Sequence, residues 1–148
     1  MRRYRHPLTR HDAGLKPSQL VVFEYSDYGV EALEDGLYVL ESKLADNAFV
    51  ARMARFVKAS MRGWDYARKN VDQTTRIVLS ADTTGTQTAE HQRRMMEEIA
   101  ELLDDRDGRL DPADYERTVS ILLSSGPDPV IKRRPSGAWT HRVYDEMK

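Results

Sequence analysis

The chain has no cysteine, so disulfides, thiolate metal sites and cysteine nucleophiles are excluded. It also lacks any apolar run long enough to span a bilayer. Net charge is nearly absent: 23 basic against 24 acidic side chains leave −1, which gives no general pull toward nucleic acid or an anionic membrane. Repeats and low-complexity stretches are missing too. What remains is 148 residues, 40% apolar and 32% charged, a composition that suits one mainly helical, charge-laced domain. The opening Met1-Arg-Arg-Tyr-Arg-His-Pro is basic but has no apolar core behind it, so it does not read as a secretory leader. On that ground the chain itself is expected in the cytoplasm.

Residues 1–14 carry no apolar periodicity and read as a basic flexible tail. Leu20-Val-Val-Phe-Glu-Tyr25 and Gly36-Leu-Tyr-Val-Leu40, bounded by turn formers, read as two short strands. From there the pattern is helical. Asp46 or Asn47 can cap a helix to about Asn70, with an expected apolar stripe of Phe49, Met53, Phe56, Val57, Met61 and Trp64. A shorter helix, capped by Asp72, carries Ile77, Val78 and Leu79. After a hydroxyl-rich connector, Asp82 to Thr88, comes a helix from about Ala89 to Asp104, with Met95, Met96, Ile99, Leu102 and Leu103 on its apolar side. Asp111-Pro-Ala-Asp114 is a strong helix start, because aspartate caps, proline fits the first turn and a carboxylate follows. That helix should end near Ser124-Ser-Gly126, and a last one should run from about Ala138 through Val143.

A search for catalytic machinery finds no nucleophile elbow, no phosphate-binding glycine loop and no pair of histidines at metal spacing. No enzyme activity and no cofactor are expected. Leu103 to Asp114 superficially matches a calcium loop: Asp105, Asp107, Gly108 and Leu110 occupy the third, fifth, sixth and eighth positions. Its first ligand position is Leu103, however, and its twelfth is the short Asp114, so a solvated turn leading into a helix cap is the preferred reading. Aromatics near turns (Tyr25, Tyr28, Tyr38, Trp64, Tyr66, Trp139) offer stacking faces for a flat ligand. For Trp64 core packing is favoured. Asp27 and Asp35 offer carboxylates for ligand amines. His141, just after Trp139, is read as stacking or packing rather than catalytic.

Several segments taken in order resemble a known family. They are Asp27-Tyr-Gly-Val30, Asp35-Gly-Leu-Tyr-Val-Leu-Glu41, Arg55-Phe-Val-Lys-Ala59 and Gly63-Trp-Asp-Tyr-Ala67, then Val71 to Val78, Gln87 to Gln92, Asp111 to Val119 and Gly137 to His141. This order is similar to the C-terminal portion of ABC-importer substrate-binding proteins of the nitrate/sulfonate/taurine and thiamine-pyrimidine type. The match covers nearly everything from Leu15 onward.

The resemblance implies an α/β fold of periplasmic binding protein-like type II, of which residues 15–148 would be an incomplete, mainly helical part with about two short strands. It implies binding of a small nitrogen-containing heterocycle or sulfonate-type solute without chemistry, delivery to an ABC permease, and a periplasmic setting. Asp27, Tyr28 and Asp35 become the ligand-binding candidates. A complete protein of this kind would be about twice as long. Helices with wide apolar faces and only two strands should therefore self-associate, a dimer with exchanged strands or helices being one form. The alternative is a small helical interaction or regulatory module, calcium-responsive through the Asp105 loop in its most testable form.

Overall fold

In the computed structural model the described residues are 14–103, 107–124 and 126–148. The basic tail up to residue 13 and the Asp105 part of the calcium-loop match lie outside them. Five α-helices are present among the described residues: α1 Asn47–Lys69, α2 Val71–Ala81, α3 Ala89–Leu102, α4 Pro112–Ser124 and α5 Arg142–Asp145. Single 3-10 turns lie at Pro17–Gln19, Tyr25–Tyr28 and Glu41–Ala45.

The chain divides into two compact units. One comprises Met1–Glu24 and Ser60–Arg106, the other Tyr25–Ala59 and Asp107–Lys148. Helix α1 contributes its first half to the second unit and its second half to the first.

The expected α/β architecture is overturned. Helices predominate and no β-strand occurs among the described residues. Residues 21–24 have no regular structure, and Tyr25 already opens a turn: the Gly29 and Val30 N–H groups donate to the Ser26 and Tyr25 carbonyls at 3.2 and 3.1 Å. Gly29, at φ +68, supplies the left-handed residue that ends this turn. Residues 36–40 are likewise irregular and run into the Glu41–Ala45 turn. The reason is that β-propensity measures fit to a pleated, half-buried surface rather than a backbone preference. Two short apolar runs with no sheet beside them bury nothing as strands.

The helices follow their local chemistry closely. Asp46 is the N-cap of α1, its Oδ1 accepting the Ala48 and Phe49 N–H groups at 2.8 and 3.3 Å. At the other end Arg68 and Lys69 face the negative end of the helix dipole, and the Asn70 side chain donates to the Tyr66 carbonyl at 2.9 Å. Hydrogen bonds from Lys69 and Arg68 hold the Asp65 carboxyl below its ordinary range. The expected apolar stripe is rotated. Val50, Ala54 and Ala67 are the buried residues of α1, whereas Phe56 is 54% exposed and Trp64 41%. The buried side chains of α1 are small, and the Phe56 and Trp64 rings are exposed. Helix α2 begins after Asn70, not at Asp72, which sits in its first turn.

Helices α2 and α3 pack on one another in the first unit. An exposed bridge joins them, Arg93 Nη1 to Asp72 Oδ1 at 2.6 Å, and such a bridge is worth at most about 1 kcal/mol. Their connector is held by one carboxylate. Asp82 Oδ1 accepts the Thr84 hydroxyl at 2.6 Å and the Thr84 N–H at 2.8 Å, while Oδ2 accepts the Gln87 N–H at 3.0 Å. The single Thr84 hydroxyl proton is thereby committed, so in the 2.8 Å contact between Thr84 and Thr86 the Thr86 hydroxyl is the donor. Thr88 then caps α3, accepting the His91 N–H at 3.2 Å.

The Thr84 hydroxyl, followed by the backbone N–H groups of Gln87 and Thr84, lowers the Asp82 pKa from 3.8 to about 2. A depressed carboxyl contributes stability that is fully present above its unfolded value and is lost as the pH falls through its folded value. In urea unfolding across a pH series, the stability gap between wild type and Asp82→Asn is therefore expected to be widest above pH 3.8 and to narrow toward pH 2. A gap that stays constant through that window would contradict the assignment.

Candidate functional site

The three ligand-binding candidates lie on one segment of the second unit. Asp27 and Tyr28 share the Tyr25–Tyr28 turn, and Asp35 lies in the irregular stretch beyond it. All three are exposed, Tyr28 at 64%. The structure thus places two of them on one turn and the third on the far side of a tether.

That tether comes from α4. Asp111 starts the helix, its Oδ1 accepting the Ala113 N–H at 2.8 Å, with Pro112 in the first turn as the sequence predicts. Six and seven residues after Asp111 come Arg117 and Thr118. Arg117 donates from Nε to the Glu31 carbonyl at 3.0 Å and lies 3.9 Å from the Glu31 carboxylate. The Leu33 N–H donates to Thr118 Oγ1 at 2.8 Å. Asp114 sets both tethering side chains: its carboxylate accepts from Arg117 Nη2 at 2.6 Å, and its carbonyl accepts the Thr118 hydroxyl at 2.9 Å.

A second cluster in the same unit was not foreseen from the sequence. His141 Nε2 lies 2.8 Å from the Leu110 carbonyl, and Nδ1 lies 3.0 Å from Arg109 Nη2. A guanidinium only donates and a carbonyl only accepts, so the partners assign the neutral ring with hydrogen on Nε2. Trp139 packs against the His141 ring at 4.8 Å between centroids and against Tyr115 of α4 at 6.1 Å. Of the stacking or packing expected for His141, the geometry gives packing, with the two rings tilted by 55°.

Beside these rings the Tyr144 hydroxyl donates to Asp107 Oδ2, and Asp107 Oδ1 accepts the Arg109 N–H at 3.0 Å. The shared hydrogen bond pushes the Tyr144 pKa up and the Asp107 pKa down, with the Arg109 N–H adding to the latter. The Arg109 and Lys148 cations flank the Tyr144 ring at 6.0 and 5.4 Å. Both ring nitrogens of His141 are committed to hydrogen bonds, so the cluster works as a clamp fastening the last residues to the start of α4.

These contacts also bear on the calcium-loop match. Of its described carboxylates, Asp107 is held by Tyr144 and Arg109, Asp111 caps α4 and Asp114 holds Arg117. No group of metal-holding side chains occurs among the described residues, and no helix there is long and apolar enough to cross a membrane.

The chain matches no protein-family model, no curated protein and no solved structure.

Tyr144→Phe keeps the ring and removes the hydroxyl that Asp107 accepts. The amides of residues 141–148 are expected to exchange with deuterium faster in this variant, while those of α2 and α3 keep wild-type rates. Unchanged exchange at the C-terminus would show that the Asp107 bond does not fasten it.

Proposed function

We propose that the chain is part of the solute-binding component of an ABC importer, and that it acts by binding a small nitrogen-containing heterocycle or sulfonate rather than by chemistry. The observation that carries this reading is that two segments of the resemblance form one structural piece. Tyr115, within Asp111–Val119, packs at a tilt against Trp139, within Gly137–His141, and His141 joins the cluster to Leu110. The other segments support it by their order: 55–59 and 63–67 fall on the long helix α1, and 71–78 falls on the short helix α2 that follows.

In this reading Tyr28 offers an aromatic face, and Asp27 and Asp35 offer carboxylates to a ligand's amino groups. The solute and a permease are its partners. The reading rests on these side chains and needs no β-sheet within the chain. A helical interaction module is the second reading, favoured by the exposed apolar residues of 25–40. Its calcium-responsive form draws no support from the loop carboxylates already engaged by Tyr144, Arg109, Arg117 and the α4 cap.

Titration of the chain with taurine and, separately, with an aminopyrimidine, followed by isothermal calorimetry, tests the proposal. Saturable binding of one of them is expected, weakened by roughly tenfold or more in Tyr28→Ala, the loss of one aromatic contact and its buried area. No heat with either compound, or equal affinity in the variant, would contradict it.

A further inference from the structure

Between Tyr25 and Leu40 the chain exposes seven large apolar residues: Tyr25, Tyr28, Val30, Leu33, Leu37, Tyr38 and Leu40, at 39 to 82% exposure. Together they present on the order of 800 Å², about what one partner contributes to a standard protein–protein interface. The tether to Arg117 and Thr118 fixes the middle of this segment, so less freedom remains to be lost on docking.

The charge around the patch is of one sign. Asp27, Glu34, Asp35 and Glu41 lie within or beside it, Glu31 is tied to Arg117, and residues 25–42 contain no lysine or arginine. Two such patches face to face would repel, so the complementary surface must be cationic with an apolar centre.

The chain carries such a surface on the first half of α1. Arg52 and Arg55, three residues apart on one helix face, are both exposed and form no salt bridge among the described residues. Phe56 beside them is 54% exposed. With a net charge of only −1, two copies meet little overall repulsion.

We propose that the acid-rimmed apolar segment Tyr25–Leu40 docks on the Arg52–Arg55–Phe56 face of a second copy, and that the second copy returns the same contact. A two-fold axis closes this pairing, because residue i meets j while j meets i. Two reciprocal contacts double the buried area and keep the dimer closed. The patch includes the ligand candidates Asp27, Tyr28 and Asp35, but the dimer does not depend on the solute-binding reading, since its test reads mass with no solute present.

Light scattering after size exclusion tests the dimer, using charge exchange at exposed positions where folding is least disturbed. The wild-type chain is expected at twice its 17.0 kDa mass. Glu34→Arg with Asp35→Arg should give a monomer, as should Arg52→Glu with Arg55→Glu. The four changes together should restore the dimer, and circular dichroism reports whether each variant keeps its helices. A wild-type monomer at high micromolar concentration overturns the proposal and leaves the patch to a different basic partner. A dimer indifferent to both exchanges, or one not restored by their combination, overturns the placement.

Discussion

Arg117 and Thr118 of α4 hold residues 31 and 33, and most of what the second unit offers to a partner depends on that hold. It begins in sequence chemistry. Asp111 and Pro112 fix where α4 starts, which places Asp114, Arg117 and Thr118 at three- and four-residue steps on one face. Asp114 then orients both tethering side chains, one through its carboxylate and one through its carbonyl. The segment they secure carries Asp27 and Tyr28 on one side and Asp35 on the other.

The apolar core is thin, and this explains why polar fastenings matter so much. The buried apolar residues among those described are Val50, Ala54, Ala67, Met96 and Val119, none of them aromatic. Net stability is a small difference between large terms, so with little apolar burial the connections rest on single carboxylates. Asp46 starts α1, Asp82 folds the turn between α2 and α3, and Asp107 receives Tyr144 from the C-terminus. Each satisfies backbone N–H groups that would otherwise be left at a helix end or in a turn. Many of the remaining large side chains are exposed, on the helices, in the 25–40 segment and in the irregular chain before it.

The helices were legible because two independent signals agreed, a 3.6-residue apolar period and a capping residue at its start. Asp46 and Asp111–Pro112 are where they coincide. Where only one signal existed the reading failed. Periodicity put Phe56 and Trp64 in the core, but Val50 and Ala54 are the residues buried there. β-propensity alone suggested strands at 20–25 and 36–40, and without a sheet to complete they became a turn and irregular chain. Of the candidate site, the placement of Asp27 and Tyr28 at a turn was visible from the glycine that ends it. The tether and the His141 clamp were not. Their partners lie 85 and 32 residues apart, and no fixed spacing encodes such a meeting.

The dependence of the 25–40 segment on α4 can be read at one amide. The Leu33 N–H, held by Thr118 Oγ1, should exchange with solvent measurably more slowly than its neighbours within 30–40, and Thr118→Val should bring it to their rate while the α4 amides stay protected. A Leu33 amide that exchanges as fast as its neighbours in the wild-type chain would contradict the account.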